Sequence, residues 1–218
     1  MASLEGLSPF LAADAKGTQK YYDRWAASYD SDVAGRDYNG PKYLLPLCRK
    51  YVDTSDSILV VGAGTGKFKN RLEGVLLHSN GHTNMVGHDG SEEMLKIAQQ
   101  RGLFKEYIHE LLEPSTTSSF KSSHYDVMVC VGCFVPGGLN ERHVDDLMRT
   151  VKPGGKSIIG TREMFLSDPG ENFNYPYDLE SKLKSLEKSG KLKLLERQRV
   201  ERFADGRAGV FFVHQILK

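Results

Sequence analysis

The residues whose spacing points most directly to chemistry are Gly62-Ala63-Gly64-Thr65-Gly66, placed straight after the apolar run Ser57-Ile-Leu-Val-Val61. Glycines let a chain turn tightly and approach a ligand closely, and a helix that follows aims its free N–H groups at that ligand. A phosphate-binding P-loop needs one more residue between its outer glycines and a hydroxyl after its lysine, whereas Phe68 follows Lys67 here. A dinucleotide loop needs its third glycine at position 67, which is the lysine. The observed spacing fits neither. Asp89 stands 23 residues beyond Gly66, at the end of the next apolar run. A carboxylate at that place can accept from both hydroxyls of a ribose, which no neutral side chain does as well.

Other reactive residues carry weaker signals. Cys130 and Cys133 form a C-x-x-C, but on an expected strand rather than at a helix N-terminus that would activate a thiol. Cys48 alone remains, and His78, His82 and His88 suit no common ligand spacing, so no metal site is expected. Tyr22, Trp25 and Tyr29 share one helix face, which reads as core packing for Trp25. The charges between Glu180 and Arg202 read as a solvated face.

These residues need elements to hold them, and the chain supplies an alternation. Short apolar runs at 57–61, 84–88, 107–111, 125–131 and 156–161 read as strands. Helical spacing lies between them, as in Phe68, Leu72, Val75 and Leu76, in Met94, Leu95 and Ala98, and in Val144, Leu147, Met148 and Val151. A last helix runs through Leu179, Leu183 and Leu186, and two strands separated by Asp205-Gly206 close the chain. The expectation is an α/β domain: a mainly parallel seven-stranded sheet with a C-terminal antiparallel hairpin.

The chain's 218 residues suit one full-sized domain, and 29 Lys and Arg against 28 Asp and Glu give a net charge of +1. That balance speaks against a dedicated nucleic-acid binder. The longest apolar stretch, Val127 to Val131, is far below the roughly 20 residues that span a bilayer, so no membrane is expected. Glu5, Pro9 and Asp14 break up the N-terminus, so no leader is expected there. Three cysteines fit a reducing compartment, the cytoplasm with the nucleus left open.

Four blocks resemble class I S-adenosylmethionine-dependent methyltransferases in family order: Val60-Val-Gly-Ala-Gly-Thr-Gly66, Gly87-His-Asp-Gly-Ser-Glu-Glu-Met-Leu95, Tyr125-Asp-Val-Met128 and Lys152-Pro-Gly-Gly155. Tyr22-Asp-x-Trp25-Ala-x-x-Tyr29-Asp30 is similar to a methyltransferase-like branch of that superfamily. The resemblance implies a single Rossmann-like domain over 54–218 under an N-terminal helical lid over 1–53. It implies S-adenosylmethionine as cofactor, with S-adenosylhomocysteine as product. Gly62, Ala63, Gly64 and Gly66 would border the methionine moiety and ribose, and Asp89 would hold the ribose hydroxyls. Gly90 and Met94 would border the adenine, Glu110 would accept from its amino group, and the Leu111 N–H would serve a ring nitrogen. Cys130 would pass beneath by its backbone, and Tyr22 and Tyr29 would cover the methionine end. One position departs: the family carries an acid two residues before the first glycine, where this chain has Val60.

Methyl transfer from a sulfonium has an excellent leaving group, so alignment and exclusion of water are the protein's main tasks. The acceptor is expected at the carboxyl ends of the fourth and fifth strands, near Phe134, Pro136, His143, Arg162, Glu163 and Tyr175. His143 opens a helix, where exposure is expected, and no catalytic base is assigned. Gly132-Cys-Phe-Val-Pro136 lacks an amide-methylating motif, which favours a small-molecule acceptor. The alternatives are a weak or inactive cofactor-binding protein acting through a partner, which Val60 keeps open, and an oxidoreductase, against which the glycine spacing speaks. Oligomeric state is left open.

Overall fold

The computed structural model describes residues 14–34, 37–66, 77–166 and 178–218; most of the helix expected around Phe68 to Leu76, and Tyr175, lie outside them. The strands are β1 (Ile58–Val61), β2 (Met85–Asp89), β3 (Glu106–His109), β4 (Tyr125–Val131), β5 (Val151–Arg162), β6 (Leu192–Ala204) and β7 (Arg207–Ile216). They form one seven-stranded sheet in the order β3-β2-β1-β4-β5-β7-β6. The first five in that order run parallel, and β7 lies antiparallel between β5 and β6. The strand order reverses at β1 and β4, and in an open parallel sheet that switch opens a crevice beyond the strands' carboxyl ends.

β1 and β4 are covered on both faces, which is why they read as unbroken apolar runs rather than as alternations. Helices α4 (Val144–Arg149) and α5 (Leu179–Lys188) cover one face, where Leu147, Leu183 and Leu186 pack on Met128, Ile159 and Phe212. Helix α2 (Gly40–Tyr51) covers the other, burying Leu44, Leu47 and Cys48 against Ile58, Val60 and Phe211. Helix α3 (Glu92–Gln100) is capped by the Ser91 hydroxyl, which accepts from the Met94 N–H at 3.2 Å. On the hairpin, Phe211 pairs directly with Gly160 of β5, and its ring fills the space where a Cβ at 160 would stand.

Two boundaries differ from the sequence reading. β3 stops at His109, so Glu110 and Leu111 lie past the strand. β5 starts at Val151 because Lys152 to Gly155 loop out of register, between the Tyr125–Val151 and Val127–Lys156 pairs.

Helix α1 (Ala15–Ala34) is built differently from α2. The Asp14 carboxylate accepts from the Gly17 N–H at 2.7 Å and starts it. It buries only Ala26 and Val33, and Val33 forms a small cluster of its own with Trp25, Tyr29 and Tyr38. Polar contacts hold it to the glycine turn and to the two ends of α3. Asp23 accepts from the Ser91 hydroxyl at 2.6 Å; Asp30 accepts from the Thr65 hydroxyl at 2.6 Å and from Arg101 Nη2 at 2.5 Å. Among the described residues no helix is long and apolar enough to cross a membrane.

Candidate active site

The carboxyl ends of β1 to β5 converge beneath α1 on a cavity of about 250 Å³. One end is built by the turn after β1 and by the end of β2. Gly62 and Gly64 border it, and both have positive φ, at 70° and 56°. A Cβ at Gly64 would meet no atom within 4 Å, so it would project into open space; a Cβ at Gly62 would collide with Cys133 Sγ. The loop therefore needs glycine at 64 for backbone shape and at 62 for room as well.

Asp89 lies on the floor of this end. Its two oxygens accept from the Gly64 N–H and the Ser91 N–H, each at 2.8 Å. One carboxylate thus ties the glycine loop to the start of α3, and each oxygen keeps a lone pair for a further donor. Burial pushes the Asp89 carboxyl above its ordinary value even though both N–H bonds favour the ionised form. Gly90 and Met94 continue the wall.

Glu110 and Leu111 also border the cavity. The Glu110 carboxylate accepts from the Ser119 N–H at 3.0 Å and from the Ser119 hydroxyl. Its carbonyl faces His88 Nε2 at 2.8 Å. A carbonyl only accepts, so that nitrogen carries the proton and Nδ1 is a buried acceptor without a partner among the described residues. Burial lowers the His88 imidazole, which is therefore neutral.

Tyr22, Trp25 and Tyr29 form the roof from α1, with ring centroids 4.7 Å apart between Trp25 and Tyr29. Burial first, then the neighbouring Tyr29, Cys133 and Asp89, push the Tyr22 phenol well above 10, so it stays protonated. Trp25, expected in the core, is instead half-buried in this roof, and its indole N–H donates to Asp32 at 2.7 Å.

Three expected site residues stand behind the wall rather than in it. Ala63 donates its N–H to the His88 carbonyl at 2.8 Å, and the Gly66 N–H closes the turn on the Ala63 carbonyl at 3.0 Å. Cys130 is fully buried inside β4; the wall is made by the next residues, Val131, Gly132 and Cys133. Val60 is buried in the core beside α2, so no carboxylate stands there. The loop is fixed from other directions, by Asp89 on Gly64 and by Asp30 and Arg101 on Thr65.

The opposite end of the cavity corrects the expected acceptor wall. Of Phe134, Pro136, His143, Arg162 and Glu163, only Arg162 borders it. Phe134 is fully buried, and Glu163 turns outward to Arg199 at 2.8 Å. His143 is buried, not exposed: its Nδ1 accepts from the Asn140 N–H at 3.1 Å, and its Nε2 faces the Leu112 carbonyl at 3.3 Å. Burial lowers its pKa. The wall is completed by residues absent from the expectation: Tyr38, and Phe203, Ala204 and Asp205 at the corner of the β6–β7 hairpin. Tyr38 pairs with Ala204 as an isolated bridge, which brings two distant stretches of chain together.

Comparison with known proteins agrees with this geometry. A methyltransferase-domain family model matches residues 58–155, the stretch from β1 to the start of β5. Human methyltransferase-like protein 27 is 31% identical over 173 residues; the match covers 78% of this chain but 66%, just under two thirds, of that relative. Among solved structures, the [4+2]-cyclase SpnF aligns with a TM-score of 0.69 at 15% identity, covering 95% of this chain and 98% of its own. Magnesium protoporphyrin IX methyltransferase from Synechocystis PCC 6803, with S-adenosylhomocysteine bound, aligns with a TM-score of 0.67 at 12% identity, covering 94% and 100%. At such identities the two structures speak to fold alone, and one of them is named for a cyclisation. Residues 58–155 thus match a methyltransferase domain, and the fold, the glycine loop with its aspartate and the human relative support a class I S-adenosylmethionine-dependent methyltransferase.

Proposed function

We propose that this protein transfers the methyl group of S-adenosylmethionine to a small-molecule nucleophile, by in-line displacement in the cavity beneath α1. The observation that carries the reading is the continuity of that cavity from the Gly62–Asp89 end to the Arg162–Phe203 end. The residues fit the cofactor: Gly64 leaves ligand space open, and Asp89 keeps acceptor capacity for ribose hydroxyls. Glu110 can accept from the adenine amino group, with Gly90, Met94 and Leu111 beside the ring. Ala63, Gly66 and Cys130 then act by shaping the loop and strand from behind. The bound cofactor supplies a methyl group on a sulfonium, already activated for transfer.

The chain's own contribution is alignment and exclusion of water. Tyr22 and Tyr29 close the roof, and Tyr22 serves as a neutral donor. His143 is buried and does not border the cavity, and no catalytic base is assigned. A cavity of about 250 Å³ beneath α1 supports a small acceptor rather than a nucleic acid, and the cytoplasm is the proposed compartment. We take 1–53 as the covering segment, with α2 anchored in the core and α1 as its moving part.

Calorimetric titration with S-adenosylmethionine, S-adenosylhomocysteine and NAD tests the cofactor, and a screen with methyl-labelled cofactor tests turnover. The first two ligands should bind and NAD should not. Asp89→Ala should weaken S-adenosylhomocysteine by about 1.5–3 kcal/mol, the range for hydrogen bonds to a charged group. Equal affinity in wild type and folded Asp89→Ala would remove Asp89 from the site.

A further inference from the structure

Arg162 ends β5 and borders the cavity at the end away from Asp89. Its side chain is only 15% exposed, and two contacts fix the guanidinium. Nη2 donates to Asp205 Oδ2 at 2.7 Å, and the Phe165 ring centroid lies 5.8 Å from Cζ. A guanidinium carries five N–H donors, and Asp205 occupies one of them. Nε is buried and, among the described residues, has no partner, so the guanidinium edge left to a ligand is that of Nη1 and Nη2. Neighbouring walls offer little to satisfy it: Phe203, Ala204 and Val131 are apolar, and the Thr161 hydroxyl is spent on the Phe134 carbonyl at 2.7 Å. Asp205 sits 42% exposed at the turn of the hairpin, so water screens much of its charge. The other carboxylates on the cavity, Asp89 and Glu110, belong to the opposite end and are held there by N–H donors.

A planar cation that is braced, mostly buried and short of acceptors is arranged to receive an anion with two parallel oxygens. We propose that the methyl acceptor is a small carboxylate: Arg162 holds its anionic group, and Phe203 and Tyr38 lie against its apolar body. This rests on the methyl-transfer reading above. It also gives Asp205 a defined part, as a competitor that keeps Arg162 in place until the acceptor arrives.

The test uses benzoate, phenylacetate and 3-phenylpropionate, each beside its neutral amide, titrated into the protein saturated with S-adenosylhomocysteine. S-adenosylhomocysteine is titrated first; if it fails to bind, the methyl-transfer reading falls, and the acid and amide pairs are still compared on the protein without it. At least one acid should bind at least about ten-fold more tightly than its amide. Arg162→Gln should erase that preference, Arg162→Lys should retain part of it, and Asp205→Asn should strengthen acid binding several-fold by freeing a donor and removing a negative charge. The proposal is overturned if no acid binds, or if acids and amides bind alike. It is also overturned if Asp205→Asn weakens acids as much as Arg162→Gln does, since the ion pair would then merely pin the hairpin. Asp205→Asn and Arg162→Lys decide the matter even if Arg162→Gln fails to fold.

Discussion

Replacing Asp30 by Ala should loosen α1 and leave the sheet intact. The substitution removes the bond from the Thr65 hydroxyl at 2.6 Å and the bond from Arg101 Nη2 at 2.5 Å. Arg101 and Asp30 are about a quarter exposed, at 26% and 24%, so the pair is worth more than a fully solvated one. Arg101 is not stranded, because Nη1 still donates to the Thr65 carbonyl at 2.6 Å. Charge-assisted hydrogen bonds contribute about 1.5–3 kcal/mol each, and solvent screening brings the combined loss to about 2 kcal/mol. That is roughly a 30-fold rise in the population with α1 undocked. Amide hydrogen exchange followed by mass spectrometry reads it directly, since exchange from local opening tracks that population. Amides between Lys20 and Val33 should exchange roughly 30-fold faster in Asp30→Ala, and those of β4 should not change. S-adenosylhomocysteine should slow exchange in α1 and alter the fluorescence of Trp25, the only tryptophan. Unchanged exchange in α1, or equal acceleration in α1 and β4, would show α1 to be permanent core and refute the reasoning.

Gly64→Val should nearly abolish S-adenosylhomocysteine binding in a folded protein, because the branched side chain enters the open space beyond Cα and φ of 56° disfavours it; calorimetry on the purified variant checks this, and wild-type affinity would refute it. Burial works to raise the Asp126 carboxyl, but bonds from Lys152 Nζ and from the Ser57 hydroxyl and N–H outweigh it and hold the pKa at about 2. The folded value lies below the ordinary one, so Asp126 stabilises the fold above about pH 4, and that contribution is lost as pH falls towards 2. The side chain is one third exposed, which reduces the effect to about 1 kcal/mol. Asp126→Asn should therefore lower the melting temperature at pH 7 and leave it nearly unchanged at pH 2, and an equal loss at both would disprove the assignment.

The sequence revealed the sheet because its signals were local. β4 is a single apolar run, and Asp205-Gly206 marks the hairpin turn by two residues alone. That Gly62, Gly64 and Asp89 share one end of the cavity was legible for the same reason: loop, strand and aspartate occupy one βαβ unit. Its finer geometry was not, because the Glu110 carboxylate is drawn aside by Ser119, which no spacing rule connects to it. The Arg162–Phe203 end was hidden more deeply. Tyr38 meets the hairpin corner through a bridge to Ala204, far away in the sequence, which no local pattern marks. His143 misled because a histidine at a helix start is ordinarily solvated, whereas here the Leu112 carbonyl and the Asn140 N–H enclose it.

The ring over Gly160 extends into a column. Phe211 occupies the space above that glycine, Phe203 lies 5.7 Å from Phe211, and Tyr38 meets Phe203 edge-on at 5.5 Å. Tyr38 and Phe203 border the cavity, while Phe211 is completely buried. The Tyr38–Phe203 wall thus takes its position from a glycine in the sheet behind it. A single methyl at position 160 would displace Phe211, and close packing would pass that shift along the rings to the wall. Under the proposed methyl transfer, acceptor preference then responds to substitutions that never enter the pocket. Two chains with identical cofactor loops and identical wall residues need not share a substrate, and engineering of new selectivity has a handle at Gly160 that leaves the cofactor end untouched.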